Sequence, residues 1–73
     1  MERGLRGIAA MTWEEAPKWA NYRAMDTSGR WYWYEKRPKY WYYIWRRVSG
    51  KFAYSHTTEN PALDPTKTLK ERP

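Results

Sequence analysis

The chain has 73 residues, no cysteine and a formal net charge of +6 at pH 7. That length allows one small domain, and the missing thiols exclude disulfides, iron–sulfur clusters and thiolate zinc sites. A mean hydropathy of −1.13, with no apolar run of about 18 residues, excludes a transmembrane helix.

Residues 1–10 carry charges but no aromatic ring. They lack the apolar stretch of about 7–15 residues that a signal peptide requires, so a cytoplasmic protein without a membrane partner is expected. Two readings of this extension stand side by side: an ordinary flexible N-terminus, or an over-extended reading frame whose true start is Met11. Thr12-Trp13-Glu14-Glu15 matches a capping box, but Pro17 follows at once, so a single helical turn or an irregular segment is expected. From Trp13 to Tyr54 the chain holds all 6 Trp, 7 Tyr and 1 Phe. This stretch, taken as residues 11–56, reads as one aromatic-rich β domain. Trp19 to Asp26 alternates moderately and ends at Asp26-Thr27-Ser28-Gly29, a strong turn signal. Arg30 to Lys36 and Tyr40 to Val48 are rich in residues that suit a pleated surface. Arg37-Pro38-Lys39 separates them, since proline cannot donate to a ladder. Val48-Ser49-Gly50-Lys51 is a second tight turn, and Lys51 to His56 a short further strand. The fold class expected is therefore all-β: a small antiparallel meander of three or four strands.

Residues 57–73 contain no aromatic ring and balance three basic against three acidic side chains. They read as a flexible tail. Asp64-Pro65 looks like an N-cap with proline at the first helical position, so a short helix over 65–72 is the ordered alternative. Such a helix is too short to stand without something to dock on.

Side chains alternate between the two faces of a strand. A hairpin centred on Arg37 would set Tyr34 opposite Tyr40, Trp33 opposite Trp41, Tyr32 opposite Tyr42 and Trp31 opposite Tyr43. One face then carries mostly Trp and the other mostly Tyr, and a one-residue slip would mix them. The Trp face, Trp41 included, is the natural core because it brings the larger apolar area. The other face supplies the candidate binding residues: Tyr32, Tyr34, Tyr40 and Tyr42, with Arg30, Lys36, Arg37, Lys39, Arg46 and Arg47. A monomer rarely exposes so large an aromatic patch without a use for it. Three uses are open. The rings stack a nucleobase or nucleotide while the cations meet phosphate; or Tyr, Trp and Arg act as hot spots of a protein interface; or the patch packs on a second copy in a homo-oligomer. A protein partner is preferred, because the composition suits it without special geometry.

No residue pattern carries catalysis. His56 is the single histidine, with no second His or Cys to complete a transition-metal site. Glu14-Glu15 sits where acids favour a helix start. Asp26 reads as the turn's own acceptor and Glu35 as an ion-pair partner. No nucleophile motif, phosphate loop or dinucleotide fingerprint appears. The expectation is a non-enzymatic protein with no catalytic residue, no metal and no cofactor. Lys36-Arg37-Pro38-Lys39 and Arg46-Arg47 are open to two readings. They form a solubilising rim, or they match an extended anionic partner, such as a nucleic-acid backbone or an acidic protein surface.

One string goes further. Trp13, then Ala16-Pro17-Lys18-Trp19-Ala20, the turn Asp26-Thr27-Ser28-Gly29 and the strand Trp31-Tyr32-Trp33-Tyr34-Glu35 up to Pro38 resemble small phage and prophage proteins of unassigned function. The likeness covers residues 13–38. That family has no settled catalytic residues, so the resemblance implies a setting: an accessory protein of a bacteriophage in the host bacterial cytoplasm. There a small basic protein is expected to bind and inhibit or sequester a host component, such as one of an antiviral defence system. The alternative is a nucleic-acid or nucleotide-binding protein that uses the Tyr, Arg and Lys face.

Overall fold

The computed structural model describes residues 12–59 and 64–73. The extension expected to be flexible, 1–10, lies outside them, as does Met11. Within them the chain forms β1 (Tyr22–Met25), β2 (Arg30–Tyr34), β3 (Lys39–Trp41), β4 (Ile44–Arg46), β5 (Phe52–Thr57) and β6 (Lys70–Glu71). A 3-10 turn at Trp13–Glu15 precedes β1, and another at Pro65–Lys67 precedes β6. Every pairing is antiparallel, so the all-β expectation holds. One sheet has four strands in the order β5-β2-β1-β6; the other is the pair β3-β4.

The β1–β2 hairpin is built by the turn that the sequence announces. Gly29 takes φ 90°, a conformation that a Cβ would oppose, and its N–H donates to the Asp26 carbonyl at 2.9 Å. The Asp26 N–H in turn donates to the Arg30 carbonyl at 2.9 Å. Met25 is thereby set opposite Trp31, and Tyr22 opposite Tyr34. On its other side β2 pairs with β5, placing Trp33 opposite Ala53 and Tyr34 opposite Phe52. The register shifts once, between Trp31 and Tyr32, which leaves Ser55 as an extra residue in β5. The chain enters β5 through Gly50, φ 77°. A Cβ there would come within 2.7 Å of the Glu35 carboxylate oxygen, which accepts the Lys51 N–H at 2.8 Å.

One face of the larger sheet is the core. Ala20, Met25, Trp31 and Trp33 are buried together, and Trp13, Ala16 and Trp19 pack against them. The Trp13 and Trp33 rings lie 5.3 Å apart at 54°, a tilted contact of the kind aromatic pairs favour. The Arg23 guanidinium sits 5.3 Å from the Trp31 ring centre. The irregular segment 13–20 that covers these rings is tied down from the far end of the chain. Arg72 donates its backbone N–H to the Asn21 carbonyl at 2.7 Å and its guanidinium to the carbonyls of Trp13, Pro17 and Ala20. Thr68, buried beside β1, accepts the Met25 N–H at 2.8 Å and donates to the Pro65 carbonyl at 2.7 Å.

Two expectations are corrected. The hairpin centred on Arg37 does not form: both sides of β2 are taken by β1 and β5, so Tyr34 does not meet Tyr40, nor Trp33 Trp41. The run from Tyr40 to Val48 doubles back at Tyr42-Tyr43 and becomes β3 and β4. Size explains part of the choice. Ala53 opposite Trp33 leaves the core face free for Trp13, and a second Trp at that position would fill the same space. Trp41 accordingly lies outside the core, 61% exposed. The other correction concerns residues 57–73. The helix expected over 65–72 is a single turn, with Asp64 as its cap and Pro65 at the first position; Thr66 donates its N–H to the Asp64 carboxylate at 3.0 Å. Beyond it the chain extends as β6, with Tyr22 opposite Glu71 and Arg23 opposite Lys70. Of the segment read as a flexible tail, Lys70–Glu71 thus has a place in the larger sheet. At the other end the single turn forms, but Thr12 makes no side-chain cap bond.

The burial pattern separates the tryptophans by consequence. Trp31→Ala or Trp33→Ala costs about 3–5 kcal/mol, comparable to the whole stability of a domain this small. Circular dichroism melts are expected to lose their cooperative transition in both. Trp41→Ala removes an exposed ring and keeps that transition; its loss would show that Trp41 supports the fold.

Candidate binding surface

The β3–β4 hairpin places Lys39 opposite Arg46, Tyr40 opposite Trp45 and Trp41 opposite Ile44. Its loop is Tyr42-Tyr43, both with positive φ, 51° and 68°. Those are the angles of a type I′ turn, whose twist matches the flanking strands and whose usual residues are Asn and Gly. An L residue with a Cβ costs roughly 1–2 kcal/mol in that conformation. Two tyrosines therefore make a strained tip.

Polar contacts hold this hairpin to the first sheet. The Asp26 carboxylate accepts the Trp45 backbone N–H at 3.0 Å, so it braces the second hairpin as well as starting the first turn. The Trp45 indole N–H donates to the Pro65 carbonyl at 3.1 Å. Thr27 donates its hydroxyl to the Tyr43 carbonyl and, its one proton committed, accepts from the Tyr40 hydroxyl at 3.1 Å. Tyr40 and Trp45 thus turn toward the first sheet with their rings 5.1 Å apart. The tip stays outside: Trp41, Tyr42 and Tyr43 are 61%, 67% and 73% exposed. The Trp41 ring lies 4.6 Å from Tyr42 and 5.7 Å from the Arg46 guanidinium carbon.

A second group of rings occupies the larger sheet on the side away from Trp31 and Trp33. Tyr32 sits 5.7 Å from Tyr54, 6.2 Å from Phe52 and 6.3 Å from Tyr34. The Arg47 guanidinium carbon lies 5.4 Å from the Phe52 ring centre, and Phe52, Tyr54 and Val48 are all exposed. Strands β2 to β5 read RWYWY, KYW, IWR and FAYSHT, with no carboxylate among them. The nearest carboxylates come from outside these strands: Asp26 on the Trp45 backbone N–H and Glu35 on that of Lys51.

The candidate residues expected on one Tyr face are distributed differently. Arg30, Lys36, Arg37, Lys39, Tyr42, Arg46 and Arg47 are exposed. Tyr32 and Tyr40 are half-buried, each among other rings. Tyr34 is buried, 3% exposed, so it faces no partner directly. Tyr32 and Tyr34 share the larger sheet with Phe52 and Tyr54, whereas Tyr40 and Tyr42 belong to the other sheet. Reading the residues in sequence missed Trp41 and Tyr43, assigned to a core face, and also Phe52 and Tyr54. For the last pair a signal existed, because positions 52 and 54 share parity in a strand. For Tyr42-Tyr43 none did, since nothing in a Tyr-Tyr pair announces a turn.

Other polar groups have structural partners. The Ser55 hydroxyl contacts His56 Nδ1 at 3.0 Å, and the imidazole stacks on Trp31 at 6.0 Å. Glu35, read as an ion-pair partner, accepts a backbone N–H instead. An open cleft of about 320 Å³ runs between Asn21, Tyr22, Glu35, Lys36, Arg37, Glu71 and Arg72, where opposite charges line one space. Among the described residues no group of three His, Cys, Asp or Glu could hold a metal ion, and no helix is long and apolar enough to cross a membrane. Comparison with family models, curated proteins and solved structures finds no match. Fold and surface define a small, β-rich protein of two antiparallel sheets that exposes rings among cations.

Strain at the tip is measurable. Tyr42→Asn combined with Tyr43→Gly gives the turn its preferred residues and is expected to raise stability by about 1–3 kcal/mol. Urea unfolding checks it; a loss of stability would mean that the tyrosine rings support the fold.

Tyr34 ties stability to alkaline pH. Burial foremost, then the nearby charges of Asp26 and Tyr32, push its hydroxyl far above the ordinary tyrosine value. A raised folded value means that the neutral ring's contribution is whole below about pH 10, the unfolded value, and is lost as pH rises beyond it. Thermal melts across about pH 8–12 should weaken on the alkaline side. Tyr34→Phe should remove that part of the loss, and unchanged alkaline sensitivity would place its cause elsewhere.

Proposed function

We propose that this is a non-enzymatic bacteriophage accessory protein that binds a host protein and inhibits or sequesters it. The observation carrying the reading is the hairpin tip. Tyr42 and Tyr43 occupy left-handed positions that Asn and Gly would fill with less strain, and with Trp41 they point into solvent. Strain held at an exposed site is a recognised mark of function, and Trp, Tyr and Arg are the residues that dominate protein interfaces. A convex tip of this kind suits a concave apolar pocket on the partner. Lys39 and Arg46 at its base favour a partner with carboxylates around that pocket, mainly by speeding the encounter. The phage setting and the host cytoplasm rest on the resemblance over residues 13–38, and a defence component is the target it suggests.

The test is affinity capture from nuclease-treated host lysate with the wild type and the Tyr42→Asn, Tyr43→Gly variant. A stoichiometric protein is expected with the wild type and not with the folded variant. For the purified pair, the tip substitutions should cost about 2 kcal/mol or more, chiefly through faster dissociation. Capture that is indifferent to the tip would refute this reading of the hairpin.

A further inference from the structure

We infer that the open side of the larger sheet, around Phe52 and Tyr54, is a stacking platform for single-stranded nucleic acid. This goes beyond a host-protein contact at the hairpin tip and uses a different surface. Phe52 and Tyr54 are two residues apart on β5, which places them on one face about 7 Å apart along the strand. They are 50% and 55% exposed. That spacing is about twice the ~3.4 Å rise between stacked nucleotides, so two neighbouring bases must be splayed to reach both rings. Single strands permit this and duplexes do not.

The rings are held in place before any ligand arrives. Tyr32, directly opposite Tyr54, contacts Tyr54 at 5.7 Å and Phe52 at 6.2 Å. Tyr34 stacks on Phe52 from within the sheet at 6.4 Å and 14°. The Tyr54 hydroxyl is bonded to the Thr57 hydroxyl at 2.5 Å, which fixes the ring's outer end. Cations frame the platform. Arg30 lies opposite Thr57 at one end; at the other, Arg47 lies over Phe52, bonded to the Gly50 carbonyl at 2.9 Å, and must swing from the ring toward a phosphate when a base stacks there, with exposed Lys51 beside it. β2 and β5 themselves carry no carboxylate; that of Glu35, at the Lys51 end, accepts the Lys51 N–H and is outnumbered there by Arg47 and Lys51. Rings for bases and cations for phosphates, in that arrangement, fit a sequence-tolerant single-strand site. The same like-signed cations disfavour a second copy of this chain on the platform.

The probe is a fluorescein-labelled oligothymidylate of about eight nucleotides, titrated by anisotropy over a salt series, with its duplex form and a polyglutamate of equal charge as comparisons. Three phosphate contacts, from Arg30, Arg47 and Lys51, predict a log–log salt slope of about −2 for a single strand. Phe52→Ala with Tyr54→Ala should weaken binding about five-fold or more, while Arg30→Ala with Lys51→Ala should flatten the slope to about −0.7. Circular dichroism confirms that these surface variants fold, and the Tyr42→Asn, Tyr43→Gly variant should bind the oligonucleotide normally. No binding at low salt overturns the inference. So does binding that survives loss of both rings, or polyglutamate competing as well as the oligonucleotide, which would mark an acidic protein surface as the ligand. None of these outcomes bears on host-protein capture at the tip, which is measured after nuclease treatment.

Discussion

The burial of Trp31 and Trp33 rests on the Arg72 guanidinium. The segment that covers those rings, residues 13–20, is mostly irregular, so its carbonyls find no ladder of their own. Two local backbone bonds, from the Ala16 N–H to the Trp13 carbonyl and from the Ala20 N–H to the Pro17 carbonyl, shape it but do not tie it to the sheet, and each carbonyl keeps a second lone pair to satisfy. Arg72 meets the need with a planar group of five donors, reaching the carbonyls of Trp13, Pro17 and Ala20 and lying 5.4 Å from the Trp13 ring. The position of β6 follows from the same contact, because Lys70–Glu71 must run beside β1 for the next residue to reach that segment. First and last parts of the described chain are thus one structural unit.

Among the described residues, segment 13–20 covers one face of the larger sheet. The far side of the larger sheet is met partly by the β3–β4 hairpin, which contacts β1 and is braced by Asp26 and Pro65. What the hairpin does not reach stays in solvent as rings among cations. The buried core and the exposed rings therefore occupy opposite sides of β2. Its odd positions, Trp31 and Trp33, are the core, while Tyr32 supports exposed rings. The hairpin repeats the division on a smaller scale: Tyr40 and Trp45 anchor it, and Trp41, Tyr42 and Tyr43 are presented.

Much of the strand pattern was legible because its signals are local. Asp26-Thr27-Ser28-Gly29 specifies a turn wherever it sits, and the parity of Trp31 and Trp33 specifies a face. Asp64-Pro65 specified a cap for the same reason. Partner choice was not legible, because alternation says which face a residue takes but not which strand lies beside it. β2 pairs with β5 across an intervening hairpin, with small Ala53 opposite Trp33, a complementarity visible only in three dimensions. The candidate surface followed suit. The exposure of the basic side chains could be expected from composition, whereas that of the rings depended on the turn at Tyr42-Tyr43, whose residues contradict its geometry.

The extra residue at Ser55 has a consequence for assembly. β5 is an outer strand of the larger sheet, and an uncharged outer strand is an open template on which other chains can polymerise. The Glu35 N–H donates to the Lys51 carbonyl at 2.9 Å, which turns the Lys51 backbone inward, and alternation then turns the Phe52 and Tyr54 backbones outward. After Tyr54 the irregularity interrupts that alternation, so an arriving strand finds two usable rungs and then a break. On the opposite edge, β6 is two residues long and both are charged. The larger sheet therefore offers an arriving strand only a short run at either margin, limited by the extra residue on β5 and by length and charge on β6.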